Sequence, residues 1–214
     1  MAITNNLYVI AAICGNFYQE SGVNPGIWEN RTVGAPGFGL GQWTDNPPIV
    51  ERRTALFNWL DANGYARDSG EGQLQFLMYE NSWLPNAFTQ SDYNTLYQYI
   101  STNDTNLYLL VEEFMHHWEG INDGTINNRY AWAQTFLDLF QNDPGTRQPW
   151  TAVNEFISEA RSKNNALLIK DFFTGTTPEP PEPPTPTEPT EEEIVALFRK
   201  LLKERGLKGV HIII

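Results

Sequence analysis

The residues best suited to chemistry stand in one short stretch, Asn16-Phe17-Tyr18-Gln19-Glu20-Ser21-Gly22-Val23-Asn24-Pro25. Apolar residues ahead of it recur at helical spacing, and Gly22 followed by Asn24-Pro25 predicts where that helix ends. Glu20 is therefore expected in the last turn of a short, largely apolar helix. The negative end of the helix dipole and partial burial both raise the pKa of a carboxyl group placed there. Such a carboxyl is suited to general acid catalysis, although a solvated glutamate at a helix end fits the same pattern.

The elements that must position Glu20 are predicted to be mostly helices. Residues 1–22 form the first, with an apolar face made of Leu7, Ile10, Ala11, Cys14 and Tyr18. The second carries Arg52 and Arg53 on its predicted outer side. No run has sustained period-2 alternation, so the expected fold class is mainly α. The second predicted helix covers residues 49–63, and the third begins with residues 73–80. Four more are predicted at residues 92–99, 106–118, 128–140 and 151–163.

A Gly-, Pro- and Asn-rich segment, residues 23–48, separates the first two helices. Its central run from Gly34 to Gly41 has four glycines in eight residues, which predicts tight turns and close backbone approach. The run fits either a structureless lid or a small hairpin.

The composition changes sharply near Phe173. Pro178 to Pro189 has seven prolines in twelve residues, which is typical of a stiff polyproline spacer. The segment from Thr190 to Glu193 then matches a capping box ahead of an apolar stripe at helical spacing. We expect a domain at 1–173, a linker at 174–190, and a C-terminal helix with a hydrophobic tail at 191–214. That last segment is expected to bind another protein or a second copy of the chain.

Composition excludes several function classes. The net charge of −12 argues against a nucleic-acid partner, because binding phosphates requires clustered Lys and Arg. No apolar run approaches the roughly 20 residues that span a bilayer, and no secretory signal is evident. Cys14 is the single cysteine and is expected in the core. The adjacent His116 and His117 would point about 100° apart on a helix, a poor metal pair, so neither a metal nor a cofactor is expected.

Two motifs together resemble a known family. Glu20-Ser21-Gly22, followed by Gly39-Leu40-Gly41-Gln42-Trp43-Thr44, is similar to the phage tail lysozyme family, within the lysozyme-like superfamily that includes lytic transglycosylases. These proteins have a Glu-Ser pair at the end of the catalytic helix and a Gly-Leu-x-Gln stretch facing it across the cleft. The resemblance covers roughly residues 6–142, with further similar segments at Gln73 to Glu80, Trp118-Glu119 and Arg129-Tyr130-Ala131. It implies a lysozyme-like helical domain that acts on bacterial peptidoglycan.

The resemblance also implies roles for individual residues. Glu20 would be the general acid that cleaves the β-1,4 bond between N-acetylmuramic acid and N-acetylglucosamine. Gln42 could bind a substrate amide or position water, and Trp43 offers a flat face for a sugar ring, unless it is a core aromatic. The residues expected to bind substrate are Ser21, Gly39, Leu40, Gln42, Trp43 and Thr44.

The second carboxylate is less well defined by the sequence. Asp45 is the first choice for stabilising the oxocarbenium ion or activating water, and Glu29 is the next. Glu80 and Glu119 are expected to anchor loops or helix ends, with Arg129 as a candidate partner. If no second carboxylate takes part in the reaction, the resemblance favours a lytic transglycosylase. A second alternative is a non-catalytic tail or wall-binding module. The expected location is the virion tail, or the host cytoplasm before lysis.

Overall fold

The computed structural model describes residues 2–47 and 50–176. The predicted C-terminal helix, and all but the first three residues of the predicted linker, lie outside the described residues. Within these residues the fold is mainly helical, as predicted, and none of the helices is long and apolar enough to cross a membrane. The helices are α1 Leu7–Ser21, α2 Arg52–Ala62, α3 Gly70–Glu80, α4 Leu96–Ile100, α5 Leu107–Phe114, α6 Ile126–Gln141 and α7 Glu159–Thr174, with a 3-10 turn at Glu29–Arg31 and a π-helical turn at Met115–Glu119.

Helix α1 is the central element of the fold. Nine consecutive residues, Val9 to Phe17, are buried, so the helix is covered on all sides and not only along the predicted apolar face. Helices α5, α6 and α7 pack around it. Its closest neighbour is α6, because a Cβ on Gly15 would lie 2.5 Å from the Arg129 carbonyl oxygen. The helix begins later than predicted, at Leu7, since the Asn6 side chain accepts a hydrogen bond from the Tyr8 N–H at 3.0 Å and caps it.

The Gly-rich segment forms a small antiparallel hairpin, as one of its two interpretations predicted, and a third short strand follows it. Strands β1 Gly37–Phe38, β2 Trp43–Asn46 and β3 Val50–Glu51 lie in the order β1-β2-β3. The β1–β2 pair places Gly37 opposite Thr44 and Phe38 opposite Trp43. The Gly39–Gln42 turn between them therefore has a fixed backbone.

The predicted helix at 151–163 is wrong in its position. Helix α7 begins at Glu159, and residues 151–158 are irregular. Side-chain amides satisfy the backbone of this irregular segment: Asn165 accepts from the Thr151 N–H at 3.0 Å, and Asn24 donates to the Val153 carbonyl at 2.7 Å. Because the partners come from distant parts of the chain, local periodicity gave no sign of them.

Helix α7 packs onto α1 and also ties down the start of the chain. The backbone N–H groups of Ile3 and Thr4 both donate to the Phe173 carbonyl, at 2.8 and 3.0 Å. Phe173 itself is fully buried. The compact fold therefore includes α7, and the boundaries predicted beyond residue 173 stay predictions.

Candidate active site

An open cleft of about 970 Å³ lies beside the end of α1. Its walls come from the end of α1, the Gly-rich segment, the turn after α3, the π-helical turn and the segment ahead of α7. The lining residues are Glu20, Ile27, Trp28, Glu29, Asn30, Arg31, Gly41, Gln42, Thr44, Asn46, Arg52, Ser82, Leu84, Trp118, Glu119, Gly120, Ile121 and Phe156.

Glu20 is held in this cleft by a buried arginine. The Arg129 side chain is fully buried, and its Nη2 donates to Glu20 Oε1 at 2.5 Å. The same guanidinium donates from Nη1 to Glu119 Oε2 at 2.7 Å and to Asn16 Oδ1 at 3.0 Å. Its Nε donates to Thr125 Oγ1 at 2.9 Å. A guanidinium whose three nitrogens are all bound has a fixed orientation, so Arg129 fixes Glu20 in turn.

Glu119 is the second carboxyl bound to Arg129, and it is nearly buried, with 5% of its side chain exposed. Burial first, and then repulsion from Glu20, raise the pKa of Glu119 well above the ordinary value, although Arg129 opposes both effects. Glu119 is thus bound to Arg129 inside the protein, and this position agrees with its expected role as an anchor.

The backbone that follows Glu20 is strained and is held by α7. Gly22 and Val23 both have left-handed conformations, with φ of 67° and 58°, and this region is rarely adopted by a β-branched residue such as valine. Ser162 Oγ donates to the Gly22 carbonyl at 2.7 Å, and Asn165 Nδ2 donates to the Val23 carbonyl at 2.9 Å. These two contacts fix the chain where it leaves α1.

Ser21, Leu40 and Gly39 support the cleft and do not line it. Ser21 Oγ donates to the Leu40 carbonyl at 2.8 Å, joining the end of α1 to the Gly-rich turn. Gln73 Oε1 accepts from the Leu40 N–H at 2.9 Å. Gly39 has φ of 80°, and a Cβ there would lie 2.5 Å from Gln73 Oε1. The space beside Gly39 is therefore filled by protein, which corrects its predicted contact with a polysaccharide.

Gln42 and Thr44 do line the cleft, whereas Trp43 faces the core. Gln42 has a left-handed backbone with φ of 47°, and its Nε2 donates to the Ile27 and Gly39 carbonyls at 3.2 and 3.0 Å. The Trp43 ring is fully buried, and its Nε1 donates to Glu80 Oε1 at 3.0 Å. Of its two interpretations, the core aromatic is the one that fits its burial.

Asp45 lies outside the cleft lining and has a structural environment. Its Oδ1 accepts from the Thr54 N–H at 3.0 Å, its Oδ2 accepts from Thr54 Oγ1 at 2.7 Å, and Arg53 Nη2 lies 2.8 Å from Oδ2. Burial raises the pKa of Asp45, but the bonds from Thr54 and the charge of Arg53 outweigh it and hold the pKa below its usual value. Asp45 thus caps the first turn of α2, which corrects its expected place in the site and the outward position predicted for Arg53.

We expect Asp45→Ala to reduce stability while leaving activity intact. Loss of a helix cap costs about 1–2 kcal/mol, whereas the cleft keeps all of its lining. Thermal unfolding and kcat/KM on purified wall, with the exposed Asp68→Ala as control, measure the two effects. Because the pKa of Asp45 is depressed, its stabilisation is present above about pH 4 and disappears as pH falls through the folded pKa. A large fall in kcat/KM with unchanged stability would contradict this assignment.

Glu29 is the predicted second carboxylate that does line the cleft. Its Oε2 accepts from the Gly37 N–H at 3.1 Å, which ties the 3-10 turn to β1. Glu80 is used elsewhere, because its Oε1 accepts from Arg52 Nη2 at 2.9 Å as well as from Trp43. Arg52 itself lies 4.7 Å from the centre of the Trp118 ring and lines the cleft, so it does not lie on an outer face.

His117 and Cys14 have structural surroundings. His117 Nδ1 lies 2.7 Å from the Leu84 carbonyl, and Cys14 is buried inside α1. Within the part of the chain that the structure describes, no group of three or more His, Cys, Asp or Glu is arranged to hold a metal ion.

Sequence reasoning missed two features of the cleft. Arg129 was expected to be a partner of Glu80 or Glu119, yet it also contacts Glu20 across 109 positions of the chain. Phe156 lines the cleft from a segment predicted to be helical. The sequence signal for Arg129 was that α6 has no other basic residue, since an arginine that becomes buried needs carboxylate partners. For Phe156 we find no such signal.

Comparison with known proteins decides the family. The profile of the family described as phage tail lysozyme matches residues 6–140, more than half of the chain. The chain belongs to the phage tail lysozyme family. It is also similar to morphogenesis protein 1 of Bacillus phage B103, with 41% identity over 73 residues, which are 33% of this chain and 18% of that protein. Much of that relative's length thus lies outside the similarity.

The family match includes both motifs that carried the resemblance. It runs from just before α1 to the end of α6, and so contains Glu20, Gln42 and Arg129. The irregular segment at 151–158 and helix α7 lie beyond it. The cleft wall that includes Phe156 is therefore an addition to the matched region.

Proposed function

We propose that this chain is a phage peptidoglycan hydrolase that cleaves the β-1,4 bond between N-acetylmuramic acid and N-acetylglucosamine, with Glu20 as general acid. Membership of the phage tail lysozyme family supports a glycosidase-type enzyme. The observation that carries the assignment is the Glu20 carboxyl group, 23% exposed, in a cleft where Arg129 binds one of its oxygens at 2.5 Å.

In the proposed reaction Glu20 gives its proton to the glycosidic oxygen as the bond to the anomeric carbon breaks. Arg129 binds Oε1, and a carboxyl group held by one oxygen can carry the reacting proton on the other. A water molecule then attacks the anomeric carbon, and the proton it loses passes to Glu29. The buried Glu119 and Arg129 keep Glu20 oriented and do not touch the sugar.

Glu29 takes the second carboxylate role in this proposal because it lines the cleft and Asp45 does not. Its bond from the Gly37 N–H fixes one oxygen and leaves the other for water. The polar contacts of Gln42 hold that side chain against the cleft wall, where its carbonyl oxygen is available to a substrate amide. Thr44 adds a polar group beside it.

We expect Glu29→Gln to reduce the release of new reducing ends from purified wall by about 10²- to 10⁴-fold, the usual contribution of acid–base catalysis. Zymograms and reducing-end assays on the wild type and the variant provide the measurement. A wild type that binds wall without clearing it would support the non-catalytic module instead. A variant that keeps full release of reducing ends would remove Glu29 from the mechanism. A wild type that clears wall without releasing reducing ends would favour a lytic transglycosylase, in which the sugar's own hydroxyl attacks.

We further propose that the chain acts from the virion and that residues 191–214 attach it to a tail protein or to copies of itself. The capping box and apolar stripe of that segment support this, since such a stripe needs a covering surface. Light scattering should find the full chain self-associated or, with a tail protein present, bound to it, and a chain ending at Thr176 monomeric and active. A monomeric full chain that binds no tail protein, together with a truncated chain that melts several degrees lower, would contradict the proposal.

A further inference from the structure

Phe156 extends the cleft wall from the segment 150–157, which lies beyond the family match. Asn24, in the turn after α1, binds this segment through its side chain. Its Nδ2 donates to the carbonyls of Val153 and Glu155 at 2.7 and 2.8 Å, and its Oδ1 accepts from the Val153 N–H at 3.2 Å. The backbones approach so closely that a Cβ on Gly26 would lie 2.6 Å from the Val153 nitrogen. The wall is thus fixed to the loop that follows the catalytic helix.

Asn154 connects this wall to the 3-10 turn on the cleft side. Its Oδ1 accepts from the Trp28 N–H at 2.9 Å, and its Nδ2 donates to the Arg31 carbonyl at 3.0 Å. One side chain therefore binds both ends of the turn. Asn30 and Arg31 within it have left-handed backbones, with φ of 51° and 58°. Non-glycine residues keep such conformations only where surrounding contacts hold them, and they cluster at ligand sites.

The result of these contacts is an aromatic ring and a guanidinium at the cleft edge. The Arg31 guanidinium carbon lies 4.8 Å from the centre of the Phe156 ring, and both residues line the cleft that contains Glu20. Phe156 is 75% exposed. A single exposed aromatic is ordinary. Phe156 differs because the hydrogen bonds of Asn24 and Asn154 fix the backbone on its N-terminal side.

We propose that Phe156 and Arg31 form a sugar-binding subsite for an N-acetylhexosamine ring of the glycan strand other than the two rings joined by the scissile bond. The inference rests on the proposed function of the cleft. An aromatic face suits the apolar C–H face of a pyranose, and a guanidinium, which only donates hydrogen bonds, suits the acetamido and hydroxyl oxygens. Asn154 is a positioning residue that keeps Arg31 over the ring. The subsite makes the enzyme prefer longer glycan strands.

The test compares glycan oligomers of increasing length, prepared from peptidoglycan, as substrates of the full chain. Phe156→Ala should raise KM for long oligomers by roughly 3- to 10-fold, the usual contribution of an aromatic contact. The kcat and the kinetics on the shortest cleavable oligomer should not change. Phe156→Trp should restore the length preference, whereas Asn154→Ala should reduce it. Tyr97→Ala removes an aromatic of similar exposure, 58%, from outside the cleft and is the matched control.

Binding to the Glu20→Gln chain, measured by calorimetry, tests the subsite without cleavage. Adding Phe156→Ala to that chain should weaken binding of long oligomers by a similar factor and leave short ones unchanged. If the Glu20→Gln chains with and without Phe156→Ala bind oligomers of every length with the same affinity, the subsite is overturned, whatever the activity. A wild type that cleaves no oligomer, combined with Phe156-dependent binding, would instead count against the proposed hydrolysis and leave the subsite in place.

Discussion

The Glu20→Gln chain should lose wall-clearing activity by about 10²- to 10⁴-fold, because general acid catalysis contributes that much. Its thermal unfolding should change little. Glutamine keeps an oxygen that can accept from Arg129, and Arg129 keeps its bonds to Glu119 and Asn16. Turbidity of purified wall and a melting curve on the same preparation give both quantities.

The control for the Glu20 variant is Asp68→Asn, which removes one negative charge from an exposed position outside the cleft. It should retain wild-type activity, so that a charge effect on wall binding is separated from chemistry. Activity of Glu20→Gln above a tenth of wild type would remove Glu20 from the mechanism. A melting temperature lowered by several degrees would mean that the loss reflects folding.

Arg129→Met should have the largest effect on stability. The substitution leaves Glu119 and Asn16 buried without their cation, and breaking a buried ion pair on one side costs about 3–5 kcal/mol. For a domain of this size that corresponds to roughly 6–20 °C in Tm. Activity should also fall, because Glu20 loses the group that orients it. Denaturant unfolding and wall clearing measure the two losses.

The pH dependence of this loss has a definite sign. The pKa of Glu119 is already raised in the folded protein, so its carboxyl disfavours folding as pH rises above the unfolded value, about 4.3. Without Arg129 the pKa of Glu119 rises further, so the variant should lose stability over a wider pH range above about 4.3, by about 1.4 kcal/mol for each pH unit within that range. Adding Glu119→Gln should recover part of the stability and flatten the profile. A flat profile in the single variant would contradict the assignment of Glu119.

What the sequence predicted well is local. Gly22 and Asn24-Pro25 marked the end of α1, and so placed Glu20 in its last turn, because helix termination depends on residues a few positions apart. The sequence predicted that one apolar face of α1 is buried. It did not predict that α5, α6 and α7 pack around the helix and bury its other faces. The mainly helical class followed from periodicity alone.

What the sequence could not predict depends on distant partners. Asp45 stands two positions after Trp43, and this spacing fitted an active-site pair. The structure shows instead that Thr54 and Arg53 bind Asp45 and that Glu80 binds Trp43. The same holds for residues 151–158, whose backbone groups bind Asn24 and Asn165 and do not form a helix. Local sequence patterns do not contain such contacts. The choice between Asp45 and Glu29 as second carboxylate therefore needed the fold.

Mass spectrometry of the fragments released from purified peptidoglycan tests the central claim most directly. The wild type should release glycan fragments that end in reducing N-acetylmuramic acid, and the Glu20→Gln chain should release none above background. Fragments lighter by one water, with 1,6-anhydro ends, would contradict hydrolysis. Release of peptides with intact glycan strands, or equal products from the Glu20→Gln chain, would contradict the assignment of this cleft as a glycosidase site.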